Sequence, residues 1–182
     1  MADELHGKRI AILAADGVER VELEQPRQAL HDAGATTELL SLHEGEIKAR
    51  KNDLDEAGTF PVDALVKSAS ADDYDALLLP GGTVNPDQLR MDTDAVGFVR
   101  DVTVAGKPVA AICHGPWTLI EAGVVEGRTL TSYPSIRTDL RNAGANVVDE
   151  EVARDGNLIT SRSPEDLPAF CAAIIELFSQ DK

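Results

Sequence analysis

The chain has 182 residues, 43% of them hydrophobic and 4% aromatic, so Ala, Val, Leu and Ile must fill most of the core of one compact domain. Its 32 acidic residues against 17 basic ones leave a formal net charge of −15, which repels phosphate backbones and anionic membranes and argues against nucleic-acid or membrane partners. No apolar run approaches the ~18 residues of a membrane span, residues 1–7 lack a secretory apolar core, and four scattered histidines with two isolated cysteines show no metal-ligand spacing, so the expectation is a cytoplasmic protein with reduced thiols and no cofactor.

Residues 8–15 (KRIAILAA) read as a buried parallel strand broken by Asp16-Gly17. A helix follows over 21–33, with Pro26 early in it or kinking it, and stops at Gly34. The same stop recurs in VAGK, EAGV and NAGA; it is helix punctuation, because the left-handed cap conformation suits glycine. Residues 36–42 form a second strand. The pattern weakens over 43–70, where 46–50 and 59–66 suggest short strands.

Residues 75–80 (DALLLP) form a clear strand closed by Gly81-Gly82, and GGTVNPDQLR reads as a loop. Asp92 caps a helix reaching about residue 105. Lys107-Pro108 leads into the strand that delivers Cys113, and a short helix covers 117–122. Short strands are expected at 128–131, 146–148, 151–154 and 158–160, with a helix at 134–143 and a hairpin turn at Asp155-Gly156-Asn157. Ser163 and Pro164 open the last helix, whose stripe of Leu167, Phe170, Cys171, Ile174, Leu177 and Phe178 makes Cys171 a core thiol. Strands alternating with helices imply an α/β domain with a mostly parallel sheet and helices on both faces. Sites then lie beyond the carboxyl ends of the strands, at 16–20, 81–90 and 113–117.

In AICHGPW the apolar run ends in a cysteine at a sharp turn into a helix. Backbone N–H groups at that helix start lower a thiol's pKa, which makes Cys113 a candidate reactive cysteine; the alternative is a small apolar residue that ends a buried strand. His114 is the adjacent candidate base, although catalytic pairs usually join residues distant in sequence. Gly81-Gly82 is either a plain turn or a donor of N–H groups to an oxyanion. No GxSxG, GxGxxG or Walker pattern supports a serine hydrolase, a dinucleotide site or a nucleotide triphosphatase.

The combination of DGVERVEL, the PGG turn, AICHGP, TSYPSIRTDLRNAG and TSRSPEDLPAF resembles the ThiJ/PfpI family, over nearly the whole chain from Lys8 to about Phe178. The resemblance implies a single domain over 1–182 with a flavodoxin-like three-layer sandwich, similar to class I glutamine amidotransferases. It implies a strained elbow at Cys113 and a protonated Glu19 that points at the thiol and favours its ionised form; Glu22 and Glu24 then read as solvated loop carboxylates. His114 becomes the general base, oriented by Asp87 from a neighbouring subunit of a homodimer or higher homo-oligomer. Relatives often carry glutamate there, one methylene longer. Tyr133 lines the pocket, and Trp117 stands where some relatives have glutamine.

Two functions follow. One is a stress-related cysteine hydrolase in which Cys113 attacks a carbonyl of a peptide or of a small aldehyde or its adducts, as a protease, deglycase or glyoxalase, with Gly82 and the elbow N–H holding the oxyanion. The other is a redox-responsive stress protein using an oxidisable Cys113.

Overall fold

The computed structural model describes residues 3–180. The strands, in chain order, are β1 (Arg9–Leu13), β2 (Val18–Glu19), β3 (Thr36–Ser41), β4 (Glu46–Lys51), β5 (Asp55–Pro61), β6 (Ala64–Leu65), β7 (Ala76–Leu79), β8 (Val109–Ile112), β9 (Thr129–Leu130), β10 (Asn146–Val147), β11 (Ala153–Asp155) and β12 (Leu158–Ser161). The α-helices are α1 (Arg20–Asp32), α2 (Val84–Leu89), α3 (Thr93–Val104), α4 (Pro116–Glu121), α5 (Arg137–Asn142) and α6 (Leu167–Phe178).

Seven strands form the central sheet in the order β11-β12-β8-β7-β1-β3-β6, all pairs parallel except the β11–β12 hairpin. Side chains alternate between faces along each strand. Ile10 and Ile12 of β1, Leu78 of β7 and Ile112 of β8 meet Leu23 and Leu30 of α1 and Phe170 and Ile174 of α6. Ala11 and Leu13, Leu77 and Leu79, and Ala111 meet Phe98, Val99 and Val102 of α3 and Leu119 of α4. Both faces are covered, which is why these strands read as unbroken apolar runs. The result is the expected flavodoxin-like α/β sandwich. Among the described residues no helix is long and apolar enough to cross a membrane.

Within the weakly patterned stretch, β4 and β5 join β2 in a separate sheet, β2-β4-β5, and β6 forms the edge of the central one. β4 and β5 make an antiparallel hairpin with an irregularity between Lys48 and Arg50, and β2 pairs with β4 through Val18↔Ala49 and Glu19↔Arg50. Only Ile47, Ala49 and Phe60 of the hairpin are buried, so its sequence carries a weak alternation.

Three expectations change. GGTVNPDQLR contains a helix, α2, and is no simple loop. Pro86 sits in its first turn, where the missing N–H has no helical partner to lose. Buried Asn85 fixes α2 by accepting from Ala15 N–H (2.7 Å) and donating to the Pro80 and Gly81 carbonyls (3.1 and 3.0 Å). Ser163 makes no side-chain cap; the chain enters α6 through a 3-10 turn at Pro164–Asp166, where Asp166 binds the Arg162 backbone and guanidinium. Cys171 is half-buried at the margin of the α6 stripe, with its thiol pushed up to about 11 by burial; both cysteines are free.

Candidate active site

β8 is buried at every position and leads directly into Cys113, whose φ is 61°. A non-glycine residue in the left-handed region is strained by about 1–3 kcal/mol. The strain is held by the surroundings: Cys113 N–H donates to Ser161 O (3.0 Å), and Cys113 O accepts from Tyr133 N–H (2.9 Å). The chain then reverses into α4 through Gly115. A Cβ there would lie 2.6 Å from Leu79 O and 2.9 Å from Ile112 O, so only glycine lets the elbow pack on β7 and β8.

The carboxyl beside the thiol is Glu22, which corrects the expectation for Glu19. α1 begins at Arg20, so Glu22 lies in its first turn and turns inward, wholly buried. Its Oε1 accepts from Gly82 N–H at 3.1 Å. Its Oε2 has no partner of ordinary hydrogen-bond geometry, while the Cys113 thiol interacts with the carboxyl. Burial, and then the neighbouring Glu19, push the Glu22 carboxyl up to about 8. Burial also pushes the Cys113 thiol up, and an ionised Glu22 would push it further; the N–H groups of His114 and Gly82 act the other way, favouring the sulfur anion. Two acids this close hold at most one negative charge between them.

Glu19 lies in β2, extended, and its side chain runs to the β4–β5 hairpin. Oε1 accepts from Asn52 N–H (2.9 Å) and Oε2 from Asp53 N–H (3.3 Å). Asn52 and Asp53 both have positive φ, 53° and 64°, so Glu19 clamps a strained turn. Asp53 in turn accepts from Thr83 N–H (2.7 Å) and Thr83 Oγ1–H (3.0 Å), tying the hairpin to the residue after Gly82.

His114 stands with Nδ1 3.2 Å from Cys113 Sγ. Its Nε2 meets Ser135 Oγ at 3.2 Å. The ring stacks on Tyr133 (4.7 Å between centroids, 26°) and meets the edge of Trp117 at 5.3 Å. Burial lowers the His114 pKa, partly opposed by Asp53, so the neutral ring is favoured. Asp87 on α2 pairs with Arg90 of its own chain at 2.7 Å, and the Arg90 guanidinium lies 4.2 Å over the Trp117 ring. Within the chain, Ser135 meets the second nitrogen of His114.

These groups enclose a pocket of about 180 Å³ lined by Glu19, Glu22, Asn52, Asp53, Gly82, Cys113, His114, Tyr133 and Pro164. Of the expected pocket residues, Gly82 and Tyr133 line it. Gly81 lies behind it as a spacer: a Cβ there would meet Glu22 Oε1 at 2.6 Å and Cys113 Cβ at 2.7 Å. Trp117 supports His114 from outside, donating its indole N–H to Asp139 (2.8 Å). Larger surface grooves of about 590 and 610 Å³ flank α3, and neither holds a cysteine or histidine. Among the described residues no group of three or more His, Cys, Asp or Glu could hold a metal ion.

Sequence reasoning missed Glu22, Ser135, Asn52 and Asp53. The Asn-Asp pair was a usable signal, since both residues tolerate the left-handed region. The position of Glu22 depends on the first turn of α1 starting one residue earlier than periodicity placed it.

A model of the DJ-1/PfpI family matches residues 8–177. A deglycase of Pyrococcus abyssi is 41% identical over 169 residues, covering 93% of this chain and 98% of that protein. General stress protein 18 of Bacillus subtilis is 42% identical over 165 residues, covering 90% and 94%. A solved two-domain protein of Anabaena variabilis, with DJ-1/ThiJ/PfpI-like and ferritin-like domains, matches at a TM-score of 0.86 and 38% identity; the match covers 93% of this chain and 47% of that one.

Proposed function

The chain belongs to the DJ-1/PfpI family, and from that premise we propose that it is a cysteine-dependent enzyme acting on small reactive aldehydes, methylglyoxal and its adducts, with Cys113 as nucleophile. The observation that carries this reading is the wholly buried Glu22 carboxyl, which keeps its proton up to about 8, beside a thiol on a strained elbow. With the proton on Glu22, no carboxylate charge opposes ionisation of the thiol, and the N–H groups of Gly82 and His114 favour the sulfur anion against burial. Glu22 thus takes the tuning role that the resemblance assigned to Glu19.

The chemistry balances without a redox cofactor. The thiolate adds to the aldehyde carbon, and the carbonyl electron pair moves to oxygen, which takes a proton to give a hemithioacetal. His114, neutral because it is buried, moves the proton from that carbon to the neighbouring carbonyl carbon. The first carbon is oxidised, the second is reduced, and a thioester forms. Water cleaves the thioester, releasing lactate and restoring the thiol. Ser135 at Nε2 orients the ring; in a homo-oligomer, Asp87 of a second copy is the further candidate for that nitrogen.

A pocket of about 180 Å³, walled by the hairpin, favours a three-carbon aldehyde over a peptide strand. The test is turnover of methylglyoxal and of a casein-derived peptide by wild type and by Cys113→Ala, Glu22→Leu and His114→Ala. Methylglyoxal turnover lost in all three supports the reading. Peptide cleavage alone replaces it with the protease, and oxidation of Cys113 by peroxide without turnover of either substrate replaces it with the redox-responsive protein.

A further inference from the structure

The ring of His114 lacks the anchor that a histidine base usually has. Among the described residues no carboxylate meets either ring nitrogen: Nδ1 stands 3.2 Å from Cys113 Sγ, and Nε2 stands 3.2 Å from the hydroxyl of Ser135. Ser135 is exposed, and its single contact leaves the tilt of the ring free. The tilt is set by two aromatic side chains, Tyr133 stacked at 4.7 Å and Trp117 inclined at 62° with its ring centre 5.3 Å away. Trp117 is the better held of the two. α4 packs on α2, and Trp117, near the start of α4, lies under Arg90, the residue that closes α2. The guanidinium carbon is 4.2 Å from the centre of the indole. Asp87, three residues earlier, keeps it there by accepting from Arg90 Nη2–H at 2.7 Å. At the indole's edge, the N–H donates to Asp139 of α5 at 2.8 Å. A cation thus grips the face of the indole and a carboxylate grips its edge. Neither Arg90 nor Trp117 lines the Cys113 pocket.

We propose that Arg90 is a positioning residue for His114 and acts through Trp117: the guanidinium, clamped by Asp87, holds the indole against the imidazole and so fixes the orientation that carries Nδ1 to Cys113 Sγ. The catalytic consequence rests on His114 moving the proton, as in the function proposed above; the placement of the ring is measurable without turnover. Asp87 then has a task inside its own chain, two side chains removed from the imidazole, and needs no direct contact with His114 of a second copy. A planar guanidinium suits this arrangement, because it covers the indole face and reaches a carboxylate in the same plane, which an ammonium cannot do. Aromatic pairs prefer particular inclinations, so the indole constrains the direction of the imidazole as well as filling space. A misplacement of about 1 Å at a reacting group costs up to about a hundredfold in rate. A loosened indole therefore shows in kcat although it touches no substrate.

The test compares wild type with Arg90→Ala, Arg90→Lys, Asp87→Asn and the double variant Asp87→Asn/Arg90→Ala. Two quantities are read: kcat and KM for methylglyoxal, and the ring C–H resonances of His114 in the reduced protein, assigned by their loss in His114→Ala. The neighbouring indole and phenol shift those resonances, so they report where the imidazole sits. In Arg90→Ala, kcat falls about tenfold with KM within about twofold, and the His114 resonances move toward their positions in the unfolded chain. Arg90→Lys restores part of both. Asp87→Asn gives a smaller change of the same kind and adds nothing once Arg90 is gone, because the two residues act in series. Arg100→Ala controls for a loosened helix: Arg100 donates to the Ala122 carbonyl at the end of α4 at 2.9 Å, and its loss leaves the His114 resonances in place. Unmoved resonances or an unchanged kcat in Arg90→Ala, an equal movement in Arg100→Ala, or losses from Asp87→Asn and Arg90→Ala that multiply in the double variant overturn the proposal. A wild type that turns over no methylglyoxal, with resonances that move as described, would instead overturn the function and leave the positioning of His114 standing.

Discussion

Glu22→Gln, made in a Cys113→Ala background, isolates the titration of the buried carboxyl. Removing the thiol leaves one acid in the pair, and the amide has nearly the same shape as the carboxyl. Burial, and then Glu19, raise the Glu22 pKa from an ordinary 4.5 to about 8. The folded chain therefore holds a proton that the unfolded chain releases between those values, so unfolding releases a proton and stability falls as pH rises through that window. At about 1.4 kcal/mol per factor of ten, the charged carboxylate costs the folded state on the order of 5 kcal/mol by about pH 9, with water penetration reducing the measured figure. The uncharged amide bears no such cost. Urea denaturation across pH 5 to 9 is expected to show the double variant gaining on Cys113→Ala by several kcal/mol as pH rises through that range. Contributions from titrating groups that do not interact with Glu22 cancel in the difference. A flat difference from pH 5 to 9 would refute the claim that Glu22 is protonated in the native site.

Gly115→Ala places a Cβ 2.6 Å from a backbone oxygen, so the elbow must move; we expect a loss of more than about 2 kcal/mol in urea and a Cys113 that reacts like a free thiol. Glu19→Ala removes the acceptor for Asn52 and Asp53 N–H, and hydrogen exchange at those amides should quicken by at least about tenfold while the pKa of Cys113 moves little. Ser135→Ala leaves His114 Nε2 without its partner in the chain; kcat for methylglyoxal should fall roughly tenfold with KM nearly unchanged, and Ser135→Thr should restore part of it.

The central sheet was legible because its strands are buried on both faces. Burial on both sides makes DALLLP and VAAI continuous apolar runs, the pattern of parallel strands covered by helices above and below. The elbow was legible too, since a cysteine at a strand end followed by His-Gly-Pro constrains the local turn. The β4–β5 hairpin was barely visible, because its faces are mostly exposed and little selects for alternation there.

The pattern of apolar runs and turns was enough to make the chain an α/β domain with Cys113 at the carboxyl edge of a parallel sheet. Which carboxylate reaches that cysteine follows from the packing of the folded chain. Glu19 and Glu22 are three residues apart across a junction between strand and helix, and they point in different directions because one is extended and the other lies in a helical turn. Glu22 turns into the core to the thiol, and Glu19 turns out to the hairpin. That choice depends on where α1 begins and on what packs over it, and those contacts come from β4, β7 and β8, distant in sequence and brought together only when the sheet closes.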